Sequence, residues 1–171
     1  MPGRILDTEA SHGESRLLCS TLRDSGSIER LVALLSERTG REVLTRCLLV
    51  IGNLASSAVD SEAHATKERI REVNGVRAVV QHLGSGDHET LFYACGACMN
   101  CCTAVGDVAV LKETGAFSRL VQLSHGADER LASYARGCLE CANGQLRMRS
   151  FGRAASNHAP VTRPLPTTRP S

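Results

Sequence analysis

Apolar residues along this 171-residue chain recur at helical spacing, three and four positions apart, with little strand-like alternation. Residues 14–23 carry Leu17, Leu18 and Leu22 on one face, and residues 27–35 carry Ile28, Leu31, Val32, Leu34 and Leu35, with Ser27 placed as an N-cap. Residues 42–55 form a longer unit, apolar at Val43, Cys47, Leu48, Val50, Ile51 and Leu54. A small, polar stretch at 56–65 reads as a loop. The same succession of short, medium and long helix then returns at 66–73, 76–83 and 89–104. It returns again at 107–113, 116–123 and 128–142. No proline interrupts residues 3–159, which suits uninterrupted helices, because an interior proline costs roughly 3 kcal/mol.

The copies superpose. SGSIERLVALL, VNGVRAVVQHL and ETGAFSRLVQL lead into the second helices with Ile28, Val76 and Ala116 in register. The pairs Leu31–Val32, Val79–Val80 and Leu120–Val121 are expected to point into the core together. In the third helices Cys47, Ala94 and Ala135 align, spaced by 47 and then 41 residues, followed by Ile51, Cys98 and Leu139. Asn53 and Asn100 occupy one position, and Cys141 takes it in the last copy. A period near 40 marks a repeat architecture in which each unit buries its apolar face only against its neighbours, so that about three or more are needed for stability.

These units resemble the armadillo repeat family, whose pattern runs G-x-I-x-x-L-V-x-L-L, a break, then A-x-x-x-L-x-N-L. GSIERLVALL and CLLVIGNL carry it, with Cys47 in the alanine place. The resemblance implies an all-α, armadillo-like right-handed superhelix (an alpha solenoid) of about three repeats, at 14–55, 66–104 and 106–143. A flexible lead at 1–13 precedes it and a disordered basic tail at 144–171 follows. With no evident polar caps, the three units are also expected to be part of a longer array.

Net charge is +2, too small to predict a nucleic-acid or membrane partner, but it is unevenly placed. Five arginines and no acid lie beyond residue 144, so the preceding part is slightly acidic. No Trp and few aromatics argue against base stacking, and no apolar run approaches the roughly 20 residues of a membrane span. The N-terminus lacks the charged-then-apolar order of a signal peptide. The eight cysteines are therefore read as reduced thiols, and the chain as intracellular and cytoplasmic.

Cys95, Cys98, Cys101 and Cys102, with Cys138 and Cys141 on the next long helix, have a spacing that invites a metal or redox reading. A single helix cannot close a tetrahedron around zinc, and register places Cys98 where Ile51 and Leu139 sit and Cys101 where Leu54 sits. Core packing is the reading that follows, with no metal and no cofactor. The histidines are scattered, and no H-E-x-x-H, G-x-S-x-G or P-loop pattern occurs, so no catalytic residue is named and no enzyme is expected.

On the long helices, positions seven, four and zero before the asparagine share a face: Arg46, Leu49 and Asn53; Tyr93, Gly96 and Asn100; Tyr134, Gly137 and Cys141. The armadillo resemblance implies that this face lines a concave groove. Asparagine amides there, which both donate and accept, would hold an extended peptide or a protein segment. The same asparagines can instead serve contacts within their own repeat. Importin-α-like proteins pair the asparagine with a tryptophan four residues earlier. Here those positions are Leu49, Gly96 and Gly137, which removes the slots for lysine stems. The implied function is a non-enzymatic scaffold or adaptor.

LVIGNLAS, FYACGACMN and VAVLKETGAFSRLV look like the C-terminal repeats of armadillo proteins that help assemble ciliary axonemes, which implies a place in the cilium. A Cys-rich metal-binding or redox-sensing helical protein and a nuclear-transport-type peptide-binding adaptor remain as alternatives at this point.

Overall fold

The computed structural model describes residues 17–37 and 39–156, with side chains as far as Arg147. All regular structure among them is helical: α1 (residues 17–24), α2 (Ser27–Ser36), α3 (Arg41–Leu54), α4 (Ala63–Glu72), α5 (Gly75–Val80), α6 (His88–Cys101), α7 (Val105–Glu113), α8 (Ala116–Ser124) and α9 (Glu129–Ser156). The long helices α3, α6 and α9 pack side by side as one layer, with α6 in contact with both others. Behind them α2, α5 and α8 each pack on the long helix of their own unit. The fold is the armadillo-like solenoid that the repeat predicts.

Local chemistry explains the joints. Each second helix is entered through a left-handed residue, Gly26 (φ 75°), Asn74 (φ 58°) or Gly115 (φ 74°), a conformation open chiefly to Gly and tolerated by Asn. At the head of α6, Asp87 accepts from the Thr90 N–H at 2.9 Å, a side-chain N-cap. These bonds hold the Asp87 carboxyl at about 2, below its ordinary value. The core runs unbroken between units, from Ile28, Val32 and Leu35 through Leu48, Ile51, Val79 and Leu83 to Leu111, Leu120 and Ala135.

An arginine–aspartate clasp joins successive units at equivalent places. Arg23, near the end of α1, reaches the buried Asp60 and donates to Thr66 Oγ1 at 3.1 Å and to Glu62 at 2.9 Å. Arg71, near the end of α4, bonds both oxygens of the buried Asp107, at 3.0 and 3.2 Å, and Thr103 Oγ1 at 3.1 Å. Asp107 also accepts the Thr103 and Ala104 N–H groups and so caps α7. Leu111 occupies the third equivalent place, fully buried, and the clasp is not repeated there.

Several expectations need correction. Val121 does not join the core; it is 39% exposed. The buried stripe of α8 is Ala116, Leu120 and Leu123, so Leu120 answers to Val32 and Val80, one position away from the alignment that paired it with Leu31. Leu17, Leu18 and Val43 are also exposed, because no neighbouring unit covers them among the described residues. The second helix of the middle unit is split, α5 giving way to a 3-10 turn at Gln81–Gly84, where His82 and Gln81 bond the Leu35 carbonyl. The stretch at 56–65 is not merely a polar loop, since it carries Asp60 and begins α4 at Ala63. Finally, α9 runs to Ser156, past residue 144 where the disordered tail was expected to begin. Residues 1–13 and the remainder of the tail lie outside the described residues.

Candidate functional site

Six of the eight predicted groove residues meet in one place. Leu49 and Asn53 from α3, Tyr93, Gly96 and Asn100 from α6, and Tyr134 from α9 line a shallow cavity of about 100 Å³ on the layer of long helices. Leu48, Gly52, Phe92 and Ala97 complete its walls. Arg46 is exposed beyond its edge, and Gly137 lies outside it.

The floor depends on how closely α3 and α6 approach. A Cβ at Gly52 would come within 3.2 Å of the Ala97 backbone, tighter than ordinary packing, so glycine sets this approach. The short distance lets the Asn100 Nδ2 donate to the Gly52 carbonyl at 2.9 Å. That carbonyl belongs to the last turn of α3, where helical acceptors lose their own partners. Asn100 therefore closes the end of the preceding unit's helix. A carbonyl can only accept, which orients the amide and leaves Oδ1 without a partner among the described residues. The bond is neither within its own repeat nor free for a ligand; it spans two repeats.

Asn53 differs. It is exposed, and its side chain makes no hydrogen bond among the described residues, so donor and acceptor are both available. The equivalent position in the last unit is Cys141, also exposed, which cannot play an amide's part.

The aromatic wall was only partly visible in the sequence. Phe92 stacks edge-on to Tyr93 (centroids 5.5 Å apart, 78°) and tilts against Tyr134 (5.2 Å, 57°). The Arg130 guanidinium lies 4.9 Å from the Phe92 ring centroid, a cation–π contact. Phe92 was overlooked because the spacing argument followed only the seven-four-zero stripe. Its neighbour Tyr93 and the i+4 step from Arg130 to Tyr134 were the available signals.

The glycines on this face serve neighbouring side chains. Tyr134 lies over Gly96, and a Cβ there would meet the ring at 3.5–3.8 Å, ordinary contact. At Gly137 a Cβ would come within 2.8 Å of the Met99 sulfur, the end of a flexible side chain. Because Gly96 is helical and unstrained, Gly96→Ala should raise stability by about 0.5–1 kcal/mol, read as a higher denaturation midpoint with an unchanged slope. A loss instead would mean that Tyr134 cannot tolerate the added methyl.

The cysteines divide. Cys95 and Cys101 are buried separately, and burial pushes both thiols up to about 12. Cys98, Cys102 and Cys138 come together between α6 and α9: the Cys98 sulfur lies 3.3 Å from Cys138 and 3.6 Å from Cys102. Hydrogen bonds raise Cys98 and Cys102, while the thiols of Cys102 and Cys98 aimed at Cys138 make it the most acidic of the three.

No protein-family model matches the chain, and no curated protein matches it in sequence. Solved structures do match. An engineered protein of the Northeast Structural Genomics Consortium is similar at 26% identity and TM-score 0.64, over 74% of this chain and 49% of that one. A designed armadillo repeat protein in complex with the peptide (KR)4 is similar at 21% identity and TM-score 0.63, over 85% of this chain and 64% of that one. A second designed armadillo repeat protein is similar at 22% identity and TM-score 0.56, over 67% and 46%. The chain spans about half the length of the first of these.

Proposed function

We propose that this chain is a non-enzymatic protein-binding scaffold that holds an extended peptide along α3, α6 and α9. The observation that carries the reading is the unpaired, exposed amide of Asn53 beside an aromatic wall of Phe92, Tyr93 and Tyr134. An extended backbone offers alternating donors and acceptors, and a single amide answers one of each. The tyrosines supply rigid contact area with polar tips at low entropic cost. The designed armadillo protein carrying (KR)4 supports peptide binding on this kind of scaffold.

The test is a displayed library of extended peptides selected on the full chain, with the best binder measured against variants. Asn53→Ala should weaken that binder about tenfold, near the value of the two lost hydrogen bonds, with unchanged helicity. Asn100→Ala is a poorer probe, because it also uncaps α3. Unaltered affinity in Asn53→Ala would sink the groove assignment. The peptide (KR)4 serves as a second probe: without the tryptophan slots, it should bind more weakly than the selected peptide. Tight (KR)4 binding through Asn53 would instead favour the nuclear-transport reading.

We place this adaptor in the cytoplasm, with the cilium or its base as the specific site to test by imaging the tagged full chain. A signal confined to the nucleus would retire both placements.

A further inference from the structure

The Cys98–Cys102–Cys138 trio is not used by the groove, and ordinary packing does not require three thiols to converge. Their sulfurs all lie within 4.8 Å of one another, every one of the three residues is buried, and no fourth Cys, His, Asp or Glu joins them among the described residues. Cys98 lies in the last turn of α6, Cys102 is the C-cap residue just past its end, and Cys138 is on α9, so the cluster straddles the second and third repeats.

Coordination number and charge decide what such a site could hold. Structural zinc wants four ligands, and catalytic zinc wants three plus an open position for water. The trio offers neither a fourth ligand nor an opening. Its closest sulfurs, 3.3 Å apart, are also tighter than the roughly 3.8 Å that Zn–S bonds of ~2.3 Å would impose on a tetrahedron. Soft monovalent copper accepts three thiolates, but the complex would carry two negative charges and the zinc complex one. Burying net charge is costly without a compensating partner. The Asp107 carboxylate, the charged group that acts on Cys138, is already paired with Arg71 and brings no positive charge to the trio. A neutral complex is required, and three thiolates neutralise a trivalent centre.

We propose that Cys98, Cys102 and Cys138 form a three-coordinate site for a thiophilic trivalent ion of the arsenic(III) class. Arsenous acid exchanges its three hydroxides for the three sulfurs. Three As–O bonds break and three As–S bonds form, each hydroxide leaves as water with a thiol proton, and arsenic stays trivalent. The product is pyramidal and uncharged, and it cross-links α6 to α9. Because the sulfurs are buried, uptake waits on local opening between these helices.

The test uses the full chain carrying Cys141→Ser, which removes the exposed thiol, with arsenite as the probe. Native mass spectrometry should show one arsenic per chain with three protons lost and no zinc uptake under the same conditions. Cys98→Ala, Cys102→Ala and Cys138→Ala should each lose the adduct. Cys95→Ala and Cys101→Ala, equally buried but outside the trio, should keep it. Retention after removal of a trio cysteine, or equal loss in the outside variants, overturns the site. Should a trio variant fail to fold, the Cys141→Ser chain alone still decides. Arsenite should raise its melting temperature, and arsenic K-edge absorption should show three sulfur neighbours. An unshifted melting temperature, or oxygen in the arsenic shell, overturns the proposal.

Discussion

Asp60→Ala should cost about 3–5 kcal/mol of folding stability, enough to unfold a marginal three-repeat array at moderate temperature. The carboxylate is 1% exposed and faces Arg23, whose side chain is itself only 10% exposed. Removing Asp60 leaves the buried guanidinium with only the exposed Glu62 carboxylate and the Thr66 hydroxyl, and that under-compensated charge dominates the lost attraction. The substitution also frees the Glu62 N–H, which donates to Asp60 at 2.9 Å just before α4. Replacing both partners with apolar residues of similar volume, Arg23→Met with Asp60→Leu, should recover most of the loss. Chemical denaturation of the three variants measures both effects. If the double variant is no more stable than Asp60→Ala, the stranded charge is not the cause.

Leu48→Ala should cost about 2–5 kcal/mol, by lost burial and by the cavity left behind. Leu48 is fully buried on α3 and lines the floor of the candidate groove, so the damage also reaches the site. Where the neighbouring walls collapse inward the cost should fall at the low end; where the close Gly52–Ala97 contact already stops α3 and α6 from moving nearer it should fall at the high end. Leu49→Ala makes the comparison, because its partly exposed side chain should lose far less. Equal losses at the two positions would place the α3 core stripe one residue from where it is described.

Periodicity made the repeat and its three long helices readable, because burying one face against a neighbour imposes the same apolar spacing on every unit. Ile51 and Cys98 share a register position and are both fully buried, and Leu54 and Cys101 share another. Six residues of the stripe that suggested a groove do line one cavity, but the spacing could not tell the use made of each. Asn53 and Asn100 look identical in sequence. Only the approach allowed by Gly52 commits one to a helix end and leaves the other unpaired. The convergence of Cys98 with Cys138 depended on the rotation of α9 against α6, which spacing along one helix cannot supply. Arg23 and Arg71 do stand five residues before Ile28 and Val76, so the clasp was present as a register match. It was missed because Asp60 lay in a stretch taken for a loop.

The position of α6 also bears on how the chain comes apart. Among the described residues it alone of the long helices has one on either side, with Asn100 and Ala97 toward α3 and Cys98 and Tyr134's seat at Gly96 toward α9. In a one-dimensional stack, an end unit can detach by giving up a single interface, whereas the middle must give up two. Within the described units α6 therefore has two helix interfaces to lose before it opens, and its amides should exchange with solvent more slowly than those of α2. The candidate groove thus has its central wall on the helix with the most to lose on opening.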